Sequence, residues 1–431
     1  MKRPVVITLL IVALALVCLG IGSVIFFVVN GNLPTNLFVP SLVSAIATES
    51  KNYSSEGVTS LEIQNDAGHV RITGGDVSQI TVEAEKTAWG VNETAASKAL
   101  ENLKYTVKKQ GDALVITYKM NQNQMNNKPD SIDFAITVPR EMVVAVKAQF
   151  GEIELTGTEG DATLESAFGD VSVETLKGAL KVTTQSGRVT AKSINAGSKE
   201  VSLKSGFGNL SLEKITAGNL KVESESGVIE LNDVRASGEL ELNTKFGDVR
   251  YEKGSADTLT VITESGKVEL TSLKVSEALD VTDKFGNIVL EKVDTASYDL
   301  NTESGVIEVD GVSAPIKAHS GFGNITIKNG NNATIDLDTE SGIVTYEGTL
   351  GEGPHKLHSN FGEIKVIIPS DSVLNVDLKT EFGKVKSDLP ITITVTGDVE
   401  ASHFVGTING GGSQLTATTQ SGDISLEILS K

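Results

Sequence analysis

Cysteine is almost absent: the single one among 431 residues, Cys18, sits inside a long apolar run. No disulfide and no cysteine-based metal site is therefore available to the rest of the chain. Proline (9 residues) and aromatic side chains (5%) are also scarce. Positive charge is in short supply: 37 Lys and Arg stand against 56 Asp and Glu. Lys2 and Arg3 precede the apolar run, which leaves 35 basic residues in the body of the protein. Such an acidic body repels phosphate backbones and anionic membrane surfaces, so nucleic acid is not an expected partner. What the sequence does have is glycine (42 residues), with Val, Ile, Leu, Thr and Ser filling most of the chain beyond residue 55. That mixture suits many short strands joined by turns, and it suits helices poorly.

The run from Val5 to Val29 holds 25 residues without a charge. As a helix it would extend ~37 Å at 1.5 Å per residue, enough to cross a ~30 Å hydrocarbon core. A cleavable signal has a shorter apolar core with a small-residue site right behind it; Ala45-Ile46-Ala47 fits locally but lies too far downstream. A lipidated Cys18 would need a small residue before it, and Val17 is not small. Basic residues precede the segment and none follows until Lys51, which places the N-terminus in the cytoplasm and the remainder outside. The expectation is a single-pass membrane anchor over residues 1–30 and a stalk over 31–56.

From residue 150 onward one corner recurs: QFGEI, AFGDV, QSGRV, GFGNL, ESGVI, KFGDV and so on to QSGDI. Its glycines are Gly151, Gly169, Gly187, Gly208, Gly227, Gly247, Gly266, Gly286, Gly305, Gly323, Gly342, Gly362, Gly383 and, after a longer gap, Gly422. Most steps are 18 to 21 residues. A fixed period of this size without helical patterning is the mark of stacked solenoid turns. Around Gly227, Leu220 and Val222 precede the corner and Ile229 and Leu231 follow it. This period-2 spacing means two half-buried strands per turn, with glycine at the bend. Every turn runs through its stations in the same order, which favours parallel stacking.

Three rows follow if neighbouring turns lie ~4.8 Å apart. Three residues before the glycine stands a hydroxyl in nearly every turn, including Ser205, Thr244, Thr302, Ser320, Thr380 and Thr419; only Ala148 and Asp283 depart. A hydroxyl ladder of this kind can satisfy itself from turn to turn. Immediately before the glycine, Phe207, Phe246, Phe285, Phe322 and Phe361 interleave with Ser186, Ser226, Ser265, Ser304 and Ser341. A serine on the neighbouring turn leaves each ring room to pack. Two residues before the glycine, Glu225, Lys245, Glu264, Lys284 and Glu303 alternate in sign on a solvent-facing row, as expected for turns adjacent and in register. The sequence unit is a pair of turns.

Residues 57–149 are less regular. DAGHV at Gly68 reads as an opening turn. Glu93 to about Lys109 places Ala96, Leu100, Leu103 and Val107 on one helical face behind an Asn92 cap. Strands are predicted at Leu114–Lys119 and Ile132–Val138. This region is expected to cap the array, and GTINGGGSQLTATTQSGDISLEIL to close it. The whole reads as an all-β, parallel β-solenoid (β-helix) of ~20-residue turns: anchor 1–30, stalk 31–56, N-terminal capping region 57–149 with a short helix, and repeat array 150–431.

The SGVIEL and FGDV corners, VPREMVVAVKAQFGEIEL at 138–155 and the terminal GTINGGG…TTQSGDISLEIL resemble the bacterial family of putative adhesins with toast-rack β-solenoid ectodomains. The resemblance spans about residues 57–431 and rests on structural motifs. It implies a solenoid that often follows one membrane helix, a link in some members to cell-envelope stress systems, and no catalytic residues to carry over.

No active site, cofactor site or metal site is assigned from the residues. His355 and His358, three apart in a strand, point to opposite faces; His69, His319 and His403 stand apart in sequence. Glu230, Glu269 and Glu308 recur every second turn, ~9.6 Å apart, near the spacing of an inverting carboxylate pair. A catalytic pair should be unique, so repetition favours a solvated face. Asp170, Asn209, Asp248, Asn287 and Asn324 follow the Phe-Gly corners, but the β-roll motif GGxGxD is missing and local turn bonding accounts for them. Asp283 breaks the hydroxyl row as a candidate buried acid. The expected function is a non-enzymatic, membrane-anchored cell-surface scaffold binding protein or glycan. The alternatives are an accessory of an envelope-stress signalling system and a carbohydrate-active enzyme.

Overall fold

The computed structural model of the chain describes residues 42–120, 128–393 and 401–430. The expected membrane segment Val5–Val29 lies outside them, and among the described residues no helix is long and apolar enough to cross a membrane.

The repeat folds as its spacing requires. Each glycine corner joins two short strands into one rung, and successive rungs pair in parallel and in register. Leu220, Val222 and Ser226 of the Gly227 rung lie beside Leu240, Leu242 and Phe246 of the next. Past the corner, Ile229 and Leu231 lie beside Val249 and Tyr251. Inward residues of all rungs merge into one continuous apolar core. The architecture is an all-β parallel β-solenoid.

The corner glycines are set by how closely the rungs approach there. A Cβ placed on Gly247 would stand 2.1 Å from the carbonyl oxygen of Gly227, and one on Gly227 would stand 2.2 Å from that of Gly208. Only hydrogen fits.

A second bend falls six residues later, held by glycine in three rungs (Gly157, Gly311 and Gly348) and by ordinary polar residues in most of the others. Thr175, Ser193, Lys214, Asp233, Lys253, Ser272, Lys292 and Asn329 all have φ between 53° and 59°. These left-handed residues break the strand alternation. In the Gly227 rung Asn232 and Asp233 both turn away from the core before Val234 and Ala236 return to it. The array therefore gains a third buried side.

At both ends the rungs are stacked out of chain order. Strands β1 (Val43–Ser54), β2 (Ser60–Ala67), β3 (Val70–Gly75) and β4 (Gln79–Gly90) come first. They are followed by helix α1 (Glu93–Asn102), β5 (Thr106–Gln110), β6 (Ala113–Tyr118), β7 (Ser131–Pro139), β8 (Val143–Phe150) and β9 (Ile153–Thr156). The β2/β3 rung is clasped between β6/β7 on its outer side and β8/β9 on its inner side. Leu61 lies beside Leu114 and Val144, and Ile72 beside Ile136 and Leu155. At the far end, His355–Phe361 pairs with Ser413–Ser421, which in turn pairs with the earlier strand Leu374–Phe382. The Gly422 rung thus slides between the Gly362 and Gly383 rungs, and His403–Ile408 runs antiparallel along Leu374–Phe382 outside them.

Three expectations are corrected. Residues 43–54, read as part of a stalk, form β1, paired antiparallel with β4 from Val43/Gly90 to Ser54/Gln79. The ladder starts inside the segment read as a cap, because β2/β3 and β6/β7 are rungs in register with the rest. The helix begins as expected, with Asn92 Oδ1 accepting from the Ala95 N–H at 2.8 Å, but it stops at Asn102. Beyond it Val107 belongs to β5, which turns through Gly111 (φ +63°) onto β6.

Candidate functional site

Alternation fails at the glycine corner, and that failure builds the most distinctive surface of the molecule. In the Gly247 rung Thr244 is buried, while Lys245 and Phe246 after it are both exposed. The turn into the corner swings the last strand residue outward, so the rings stand outside the core. Phe168 is 50% exposed, Phe246 58%, Phe322 63% and Phe382 75%. Along this edge each ring has a serine on the next rung. Phe207 lies between Ser186 and Ser226, and Phe246 between Ser226 and Ser265.

Rung order at the C-terminus extends this comb. In sequence Phe361 is followed by Phe382 and then by Ser421, which breaks the alternation. In space Ser421 lies between Phe361 and Phe382, which restores it. At the opposite end Phe150 and Phe168 occupy adjacent rungs and stack directly, centroids 5.4 Å apart and planes at 8°.

Beside the comb runs the charged row in the predicted register. Lys245 reaches Glu225 at 3.5 Å and Lys284 reaches Glu264 at 3.9 Å. Both pairs are half exposed, so each contributes little to stability.

The hydroxyl row lies inside the corner. Its partners are not one another but the corner carbonyls of the preceding rung. Ser320 donates to Gly305 O at 2.9 Å, Thr339 to Gly323 O at 3.0 Å and Ser359 to Gly342 O at 2.9 Å. Ser166, Thr184, Ser224, Thr244 and Thr263 are buried at the same station without a bonded side-chain partner. Asp283 takes the position with both carboxyl oxygens buried and unpartnered, and burial pushes its pKa up to about 6.

The Asp and Asn side chains after the Phe-Gly corners also bond between rungs, where local turn bonding had been expected. Asp170 accepts from the Arg188 N–H at 2.8 Å, Asn209 from Val228 at 3.0 Å, Asp248 from Lys267 at 2.9 Å and Asn287 from Val306 at 2.9 Å. Each ties a phenylalanine rung to the serine rung that follows, the physical basis of the two-turn unit.

Two of the recurring glutamates, Glu230 and Glu269, are drawn into ion pairs. Arg250 stands between Glu230 and Glu269, 3.2 Å from each, and pairs with Asp248 at 2.7 Å. Lys267 hydrogen-bonds Glu269 and, with Arg250, holds its carboxyl below the ordinary range. A general acid needs the opposite shift. Glu308 lies between Val289 and Thr326. His355 is buried, with Nε2 3.1 Å from Gly351 O and its pKa lowered by burial. His358, on the opposite face, bonds Thr418 and Asn360. His319 and His403 each meet one aspartate, Asp338 and Asp377. A groove of 430 Å³ on the outer face, between Asp280, Asp299, Lys317, Asp336 and Lys356, lies open to solvent.

The charged side chains directly before two of the rings, Lys245 and Lys284, were a sign in the sequence that alternation stops at the corner and the rings face outward. These features define a class: a repetitive β-solenoid that presents one regular lateral edge. The chain belongs to the Toastrack DUF4097 family, whose profile matches residues 58–288 and 252–427, in agreement with the resemblance read from the corner motifs. Among solved structures it is similar to a putative cell adhesion protein from Clostridium sporogenes ATCC 15579. That likeness has 9% identity and a TM-score of 0.21, and covers 89% of this chain and all of the other. It is also similar to a putative adhesin from Bacteroides fragilis NCTC 9343, at 16% identity and a TM-score of 0.27, covering 66% of this chain and 97% of the other. No curated protein matches it.

Proposed function

We propose that the protein is a non-enzymatic binding scaffold, anchored in the membrane through Val5–Val29 and displayed outside the cytoplasm, with the phenylalanine comb as its contact edge. One observation carries this reading: a row of phenylalanines at least half exposed from Phe168 to Phe382. Scattered exposed apolar residues are ordinary, but a continuous row of large ones marks an interaction surface. The core does not need them there, because serine serves the same station on alternate rungs. Spacing of ~9.6 Å between rings suits an extended ligand with a repeating outline, a peptide strand or a glycan.

The test is binding to arrayed envelope glycans and purified surface proteins. Wild-type chain is compared with a variant carrying Phe246→Ser, Phe285→Ser and Phe322→Ser. Loss of at least ten-fold in affinity with an unchanged unfolding midpoint supports the reading. Binding indifferent to the comb, or cleavage of a glycan abolished by a single Glu→Gln change, overturns it.

A further inference from the structure

We propose that the comb's partner is a second copy of the same chain, antiparallel and offset by one rung, so that each phenylalanine from Phe168 to Phe361 enters the gap above a serine. The inference rests on the comb being a contact edge and names what it contacts.

Shape comes first. Rings two rungs apart leave ~9.6 Å between their centres, so a ring inserted midway lies ~4.8 Å from each, within aromatic stacking range. The chain displays the filled gap itself: Phe150 and Phe168, on adjacent rungs, stack at 5.4 Å with nearly parallel planes. Elsewhere serine replaces every second ring and leaves the gap open.

Charge gives the same offset. Lys245 and Lys284 stand on the rungs of Phe246 and Phe285, whereas Glu225, Glu264 and Glu303 stand on the rungs of Ser226, Ser265 and Ser304. Setting a ring opposite a serine therefore sets Lys opposite Glu. On the next phenylalanine rung at either side the lysine is replaced by glycine, Gly206 and Gly321.

Symmetry then selects the orientation. A two-fold axis along the stack would face equal rungs, ring against ring. A two-fold across the stack reverses rung order but keeps the charged row on the same side of the comb. Placed between the Ser265 and Phe285 rungs, it sets Lys284 opposite the partner's Glu264 and Lys245 opposite the partner's Glu303. The same register seats Phe322 over Ser226, Phe207 over Ser341, Phe361 over Ser186 and Phe168 over Ser421. That last seat exists only because the Gly422 rung is inserted after the Gly362 rung.

Size is adequate. Those six rings from each copy bury on the order of 1,200 Å² in total, the lower end of a stable specific interface. The pairing is isologous and closed. It also places the two copies' β1 strands at opposite ends of the paired rod, an arrangement suited to joining two facing membranes.

The experiment uses full-length protein in detergent micelles with Cys18→Ser. Chains carrying Lys245→Cys are mixed with differently tagged chains carrying Glu303→Cys under mild oxidation. Within one chain the two positions are three rungs apart, ~14 Å, beyond disulfide reach. Mixed disulfide dimers should exceed either homodimer by at least ten-fold, and Phe246→Ser with Phe285→Ser should abolish them without moving the unfolding midpoint. Absence of mixed dimers, or homodimers in equal yield, overturns the proposal. A monomeric chain whose comb still binds a glycan or another protein also overturns it, and leaves the contact-edge reading standing.

Discussion

Thr380 donates its hydroxyl to the carbonyl of Gly422, 2.8 Å away and 42 positions later in the chain. The other rungs that make this bond, those of Ser205, Thr302, Ser320, Thr339, Ser359 and Thr419, reach back to a glycine earlier in the sequence; Thr419 reaches Gly362 at 3.0 Å. The Thr380 bond marks a rung laid down early and closed from behind by the end of the chain.

The final strands should therefore behave as a lock. Ending the chain at Gly412 removes Ser413–Ser421 and Ile424–Ile428, which carry the ladder bonds of both the Gly362 and Gly383 rungs. Limited proteolysis should then cut rapidly within residues 363–412. Ending at Ser370 exposes only a regular rung and should leave the remainder more protected than the Gly412 truncation. Equal protection in both would refute the lock.

Gly247→Ala would force a methyl group to within 2.1 Å of the Gly227 carbonyl. Backbone cannot yield there without separating two rungs, so a loss of about 2–4 kcal/mol is expected. Urea denaturation checks it. Ser226→Ala, on the exposed edge beside it, should change stability by less than ~0.5 kcal/mol.

Asp283 is held neutral more readily in the fold than in the open chain, because burial raises its pKa from 3.8 to about 6. The folded state therefore binds more protons than the unfolded state between those values, and stability falls as pH rises through the window. The cost is complete above about pH 6, on the order of 3 kcal/mol. Asp283→Thr restores the hydroxyl found in neighbouring rungs. The variant should be the more stable at pH 7, with the difference shrinking toward pH 4. Chemical denaturation at several pH values reads it, and a pH-independent difference would contradict the buried-acid account.

Lys253 adopts φ 57°, a conformation that costs an ordinary side chain about 1 kcal/mol and asparagine less. Asn329 and Asn332 already occupy it elsewhere in this chain. Lys253→Asn should therefore stabilise by about 0.5 kcal/mol, seen as a raised denaturant midpoint. A drop would show that the lysine stem makes a contact that outweighs the strain.

The sequence by itself determined the rung. The glycine period, the apolar pairs around each corner, the hydroxyl station and the alternating Glu and Lys row were all legible, because a parallel solenoid repeats the same local environment ~4.8 Å further on. It also showed Phe and Ser taking turns before the glycine. Tertiary structure decided what lies beyond one rung's own spacing. Whether Phe246 points in or out depends on how the chain rotates into Gly247, which the period-2 rule does not describe. The left-handed bend at Lys253 is carried in most rungs by ordinary polar residues, so the glycines at the same station, Gly157, Gly311 and Gly348, do not stand out as a repeat. Asp170 and Asn209 find their acceptor roles on a different rung, which only stacking supplies. The order of the terminal rungs is the clearest case. Ser421 follows Phe382 in the chain yet sits between Phe361 and Phe382, because an uncovered rung leaves ladder bonds unmade and the end of the chain is free to fill the gap.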